Sequence, residues 1–169
     1  MSALATSVAE PAELLRRALG QFATGVTVVT TVDADGRPLG TTATAVASLS
    51  LDPPLVLVCL KRDSTTRSAI LGHRAFAINV LAEEQEELSA NFARRGTSAS
   101  WRECEHDRWA SGCPRLDGAL ASIDCTVEDI LDGGDHEIVI GRVRDAGADH
   151  RPRRPLLHWR GRYAGLDQR

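Results

Sequence analysis

Apolar positions along the chain follow two periods, and each period predicts a different kind of element. After Pro11, the side chains of Leu14, Leu15, Ala18, Leu19 and Phe22 recur at helical spacing. A proline suits the first turn of a helix, where its missing N–H costs nothing, so an amphipathic N-terminal helix is predicted. Thr24 to Val32 then reads TGVTVVTTV, a β-branched run that fits a pleated surface. Asp35-Gly36 favours a tight reversal, and the chain is expected to return as a hairpin through Leu39 to Ala47. Asp52-Pro53-Pro54 cannot continue a central strand because proline donates no backbone hydrogen bond. It predicts a loop entering the strand Leu55 to Leu60.

Ser64, Thr65 and Thr66 precede Ile70 and Leu71, with Gly72 closing. That is the pattern of a short capped helix with a glycine stop, and the apolar strand Ala75 to Leu81 follows it. Glu83, Glu84, Glu86 and Glu87 stand before Arg94, Arg95 and Gly96, charges that complement a helix dipole from start to end. Leu88, Phe92 and Ala93 are expected to face inward, with the glutamates on a solvated face. Gly96 to Gly118 reads as an irregular connection that packs Trp101 and Trp109. Ile123, Cys125 and Val127 then alternate with Asp124, Thr126 and Glu128, and Gly133-Gly134 turns the chain into a strand from His136 to Val143, a second long hairpin. Leu156, Leu157 and Trp159 finish the chain after the loop Arg151 to Pro155.

Strands outnumber helices by about two to one, joined by hairpins without regular strand-helix alternation, so the architecture expected is a mainly β barrel core with peripheral helices. A doubly wound nucleotide fold is disfavoured, and neither G-x-G-x-x-G nor G-x-x-x-x-G-K occurs. The 169 residues, 43% hydrophobic and 25% charged, fit one globular domain over 1–169. A formal charge of −3 supplies no positive field for nucleic acid or an anionic membrane. The longest apolar run, Leu55 to Leu60, falls far short of the roughly 20 residues that span a bilayer as a helix. Residues 1–10 lack the basic start and apolar stretch of a secretory signal and read as a flexible tail, so a cytoplasmic location is expected. Among the cysteines, Cys59 and Cys125 lie in strand-like patterns as small hydrophobes, which favours reduced thiols. Cys104, His106 and Cys113 lack the paired spacing of a zinc site, and no metal is expected.

Three stretches carry candidate chemistry. From Thr41 to Pro54 the chain concentrates small and hydroxyl residues. Such a surface lets a flat ligand approach the backbone, whose N–H and C=O groups match the edge of a heteroaromatic ring; it also serves as a plain Ala/Thr strand. Ser64, Thr65 and Thr66 mark a helix start, where free N–H groups and the dipole favour a phosphate, although simple N-capping uses the same residues. His136 follows Gly133-Gly134-Asp135 and shares a strand face with Ile138 and Ile140. The glycines let a partner come close and Asp135 can orient the imidazole, while a structural histidine is the plainer reading. His73, His106, His150 and His158 have no comparable setting.

The order and spacing of several segments resemble the short-chain flavin reductases, the reductase components of two-component flavin-dependent monooxygenases. These segments are Phe22 to Thr30, Ser48 to Val56, Phe76 to Leu81, Leu88 to Ala93, Gly134-Asp135-His136, Pro155 to Leu157 and Gly161-Arg162-Tyr163. The likeness covers about residues 14–166. It implies a split β-barrel of Greek-key, FMN-binding type, a homodimer with flavin held near the subunit interface, and hydride transfer from NADH or NADPH to FMN or FAD. Reduced flavin would then go to a separate monooxygenase component. By the same likeness Thr44, Ala45, Val46, Ala47, Ser48, Ser50 and Leu51 would line the isoalloxazine and ribityl chain. Ser64, Thr65 and Thr66 would take the phosphate, and Asn91, Phe92 and Ala93 would border the flavin. His136 would serve the nicotinamide cofactor as the catalytic residue, with Tyr163 as a wall of that site. The alternatives are an FMN-retaining oxidase of the pyridoxamine-phosphate-oxidase type and a non-catalytic flavin-binding module. Arg151, Arg153 and Arg154 are candidates for a 2′-phosphate on the nicotinamide cofactor.

Overall fold

The run TVVTTV places a β-branched residue at every position of one strand, a composition suited to a strand covered on both faces. In the structure, a computed structural model that describes residues 10–94, 101 and 104–166, all six of these residues are buried. They form β2 (Thr27–Val32), preceded by α1 (Pro11–Leu19) and β1 (Thr24–Gly25). The chain continues as β3 (Pro38–Ala43), β4 (Val46–Leu51), β5 (Pro54–Lys61), α2 (Thr65–His73) and β6 (Ala75–Val80). After a 3-10 turn at Glu83–Gln85 come α3 (Glu86–Ala93), β7 (His106–Arg108), β8 (Pro114–Leu116), β9 (Ala121–Gly133), β10 (His136–Ala148), β11 (Leu157–Trp159) and β12 (Arg162–Ala164).

Seven strands make one antiparallel sheet in the order β3-β2-β6-β9-β10-β5-β4. The sheet curls until β3 touches β5, and α2 closes one end with Ile70. Val29, Val58, Phe76, Ile78 and Val139 fill the interior with it. A second apolar cluster lies outside β2 and β6, where Val26, Val28, Leu81, Phe92, Leu116 and Leu156 meet. These two strands are therefore buried on both sides, and the architecture is the expected mainly β split barrel with peripheral helices. Gly141 lies on the interior because a Cβ there would stand 2.4 Å from the Phe76 ring.

Several expectations change. The hairpin partner from Leu39 to Ala47 is two strands: β3 pairs with β2, the chain breaks at Thr44-Ala45, and β4 pairs with β5 at the opposite sheet edge. Gly72 does not stop α2. Arg74 does, in the left-handed region at φ 62°, held by its N–H on the Ile70 carbonyl and its guanidinium on the Val127 carbonyl. Ala93 is exposed, where an inward-facing residue was expected. No residue of α1 is buried, although its apolar stripe is present. The connection expected to be irregular contains the β7–β8 hairpin, in which Trp109 donates to the Ser122 hydroxyl, while Trp101 meets Phe92 edge-to-face. Part of that connection, and the expected tail, lie outside the described residues.

Candidate functional site

Where β3 hands over to β4, the chain crosses between the two edges of the curled sheet, and a cleft of about 590 Å³ opens at this seam. Gly40 to Ala45 form one wall, Cys59, Leu60 and Lys61 of β5 another. Asp63 to Thr66 at the start of α2, Phe92 and Ala93 at the end of α3, and His136 at the start of β10 complete it. The sequence supports this locally: small side chains on β3 leave the backbone accessible, and at Gly40 a Cβ would meet the Phe92 ring at 2.9 Å. Thr44 and Ala45 lie between two edge strands and are exposed. Edge strands keep half their backbone groups free for a ligand.

At the α2 end, Ser64 accepts from the Arg67 N–H at 3.3 Å and Lys61 accepts from the Ser64 N–H. The N–H groups of Thr65 and Thr66 in the first turn have no acceptor within the helix. They face the cleft end at which an anion is favoured by the helix dipole. His136 lies directly across from Lys61 in the β10–β5 pairing. Its Nδ1 bonds the Asp135 carboxylate at 2.7 Å, which leaves Nε2 for a ligand. The same hydrogen bond, with the imidazole charge, holds the Asp135 carboxyl below its ordinary range.

The cleft brings together Thr44, Ala45, Ser64, Thr65, Thr66, Phe92, Ala93 and His136 of the residues singled out above. It does not include Val46, Ala47, Ser48, Ser50 and Leu51, which continue along exposed β4 beyond its rim. Nor does it include Asn91 or Tyr163. The Tyr163 hydroxyl bonds Ser89 at 2.9 Å and its ring packs against the second apolar cluster. Sequence reasoning missed Cys59 and Lys61. Strand alternation was the available signal, since Val56, Val58 and Leu60 point inward and the residues between them point out. It also placed His136 on an apolar face; that face is half-exposed, and the buried side of β10 is Glu137, Val139 and Gly141. Arg151 and Arg153 are committed to Asp149, and Arg153 also to Glu84. Arg154 lies 3.9 Å from Glu83, and none of the three lines the cleft.

Four cysteines are free thiols, and burial pushes Cys104 and Cys113 up to about 11 and Cys125 up to about 12. Such thiols stay protonated and inert at neutral pH. Among the described residues no set of three or more His, Cys, Asp or Glu could hold a metal ion, and no helix is long and apolar enough to cross a membrane.

A curled antiparallel sheet with an open, small-residue seam beside a helix start defines a split barrel with a cleft along its seam. The model of the flavin reductase like domain matches residues 19–167, and the chain belongs to this family. It is 44% identical over 156 residues to the reductase subunit HsaB of a flavin-dependent monooxygenase from Rhodococcus jostii, covering 90% of this chain and 76% of the relative. It superposes on nitrilotriacetate monooxygenase component B from Mycobacterium thermoresistibile with a TM-score of 0.88 and 43% identity, covering 92% of this chain and 87% of that one. The NADH:FAD oxidoreductase SgcE6 of Streptomyces globisporus, solved in complex with NAD and FAD fragments, superposes at 0.87 with 33% identity over 96% of this chain and 98% of its own.

Proposed function

We propose that this chain is the NAD(P)H-dependent flavin reductase of a two-component monooxygenase, reducing FMN or FAD and releasing it to a separate oxygenase. The observation that carries the reading is the meeting of a bare backbone seam, a helix start and His136 in one cleft. A flavin fits these residues. Its flat ring needs a wall without bulky side chains, which Thr41 to Ala45 supply, and its phosphate needs the donors of Ser64, Thr65 and Thr66. Val46, Ala47, Ser48, Ser50 and Leu51 extend that wall for the ribityl chain and for whatever lies beyond it. Bound there, the two cofactors supply hydride transfer from nicotinamide C4 to flavin N5.

The protein's part is positioning. Asp135 orients His136 through Nδ1, so that Nε2 would be the atom available to hold a nicotinamide cofactor at this end of the cleft. Backbone N–H groups along Thr44-Ala45 offer hydrogen bonds where negative charge develops on the reduced ring. The exposed Thr44, Ala45 and Ala93 leave the rim open, which suits a flavin that must depart. Arg151, Arg153 and Arg154 are engaged by acids away from the cleft, which removes them as partners of a 2′-phosphate. The bare apolar residues of α1, of the turn after it and of β4, among them Leu15, Phe22 and Leu51, support a homodimer in which a second copy covers them. Four free thiols suit a reducing cytoplasm.

NADH or NADPH oxidation measured with FMN and with FAD tests the reading. The wild type is expected to consume NADH with added flavin, and consumption no faster than in free solution removes the reading. His136→Ala is expected to lower kcat/KM for NADH about 100-fold while flavin affinity stays within about twofold. Equal turnover would take His136 out of the mechanism.

A further inference from the structure

Behind the cleft, on the side of β10 away from His136, Glu137 is buried with only 7% of its surface exposed. A buried carboxylate is tolerated when every lone pair is engaged by a cation. Arg67, in the first turn of α2, donates its Nε to Glu137 Oε2 at 2.7 Å and its Nη2 to Oε1. Arg62 donates Nη1 to the same Oε1 at 2.8 Å. One carboxylate thus joins two arginines that belong to different parts of the site.

Arg62 then reaches further. Its Nε donates to the Gly134 carbonyl at 2.7 Å, its Nη2 to Asp132 at 2.6 Å, and its own backbone N–H to the Asp135 carbonyl at 3.2 Å. The Asp132 carboxylate also receives the Gly134 N–H at 2.9 Å. These acceptors lie at the end of β9 and in the turn that immediately precedes His136. That turn holds Gly134 at φ 80° and is tied to Arg62 through the Gly134 carbonyl and the Asp135 carbonyl. The planar guanidinium spreads its donors over three separate acceptors, the Gly134 carbonyl, Asp132 and Glu137, a span that the compact ammonium of a lysine does not match.

We propose that Arg62, acting with Glu137, is a positioning residue that locks the His136 turn onto the segment carrying the phosphate-binding start of α2. Arg67 secures the α2 side of the same carboxylate and Arg62 the turn side. The flavin half and the nicotinamide half of the cleft are thereby held in one register although 70 or more residues separate Arg62 from Asp132 and Glu137. This rests on the reductase reading for its kinetic consequence but not for its structural one.

The test uses Arg62→Ala, Arg62→Lys and Arg67→Ala in the full chain, with flavin affinity by fluorescence titration, NADH kinetics, and amide hydrogen exchange of residues 133–137. Arg62→Ala is expected to raise the KM for NADH about tenfold and to speed exchange in 133–137, with flavin Kd within about twofold. Arg67→Ala is expected to show the reverse split, a flavin Kd raised about tenfold and a smaller change in exchange. If Arg62→Ala fails to fold, Arg62→Lys keeps the charge and loses the fork, and about a threefold rise in KM with faster exchange is expected. Wild-type KM and wild-type exchange in either Arg62 variant overturn the proposal, as does an equal loss of flavin and NADH affinity, which marks general loosening. A wild type that ignores NADH refutes the reductase reading alone, because the exchange measurement still reports the lock.

Discussion

Two six-residue strands of this barrel are built from similar side chains and end in opposite environments. β2 reads TVVTTV and is entirely buried, while β4 reads VASLSL and is largely exposed, with Leu51 at 91%. The β2 hydroxyls are all engaged: Thr27 donates to the Ala43 carbonyl at 2.7 Å, Thr30 to Pro114 at 2.6 Å and Thr31 to Ala75 at 2.8 Å. Those bonds let a polar strand sit between two apolar clusters without an unsatisfied group. β4 sits at the end of the strand order with one neighbour. Position in the sheet, central against edge, separates the strand that is covered on both faces from the one whose surface stays open.

The largest effect expected from breaking this contrast lies in the interior that β2 shares with Phe76. Phe76→Ala should cost about 3–5 kcal/mol of unfolding free energy, read from urea denaturation, because Val29, Ile78 and Gly141 around the ring cannot collapse into the space. A loss below about 1 kcal/mol would mean that the two-sided burial of β2 and β6 is not where the stability resides.

A smaller effect is expected at Asp124, on the strand beside β6. Only 3% of it is exposed, and its carboxylate accepts from the Ser111 hydroxyl. Burial pushes its pKa up, the Ser111 hydrogen bond opposes this, and the nearby Asp145 charge adds to it. A carboxyl with a raised folded pKa binds its proton more tightly when folded, so its contribution to stability is greatest at acid pH and falls as pH rises through the folded pKa. Asp124→Asn keeps an acceptor for Ser111 and removes the charge. It should raise stability at pH 7 by about 1 kcal/mol. The melting temperatures of the two proteins should converge as pH is lowered into the ordinary carboxylate range, and parallel curves would refute the assignment.

How much of this was legible follows the same contrast. That Thr27 to Val32 is a strand could be read from its β-branched run, although the covering of both its faces could not, and the charge pattern of Glu83 to Arg94 marked a helix where the 3-10 turn and α3 stand. The break at Thr44-Ala45 could not, because Leu39 to Ala43 and Val46 to Leu51 look alike and only their partners, β2 and β5, tell them apart. The helix start at Ser64 and the turn before His136 were visible locally. The buried Glu137 was not, since its two arginines come from distant sequence and nothing local marks a carboxylate as ion-paired. Tyr163, placed at the nicotinamide by resemblance, bonds Ser89, a contact between α3 and the last strand that depends on the whole fold and that no local pattern announces.

The smallest effect on stability is expected at Leu51, and it sharpens the contrast most. A leucine this exposed contributes almost nothing to the folding of one chain, so Leu51→Ser should change unfolding free energy within about 0.5 kcal/mol, below any loss expected in β2. If β4 is covered by a second copy, the same substitution removes apolar area from the contact and should weaken the dimer about tenfold, measured by sedimentation equilibrium over a dilution series. An unchanged association constant would leave β4 to the cofactor alone, whereas a loss of several kcal/mol in the monomer would show that this edge strand is as integral to the barrel as β2.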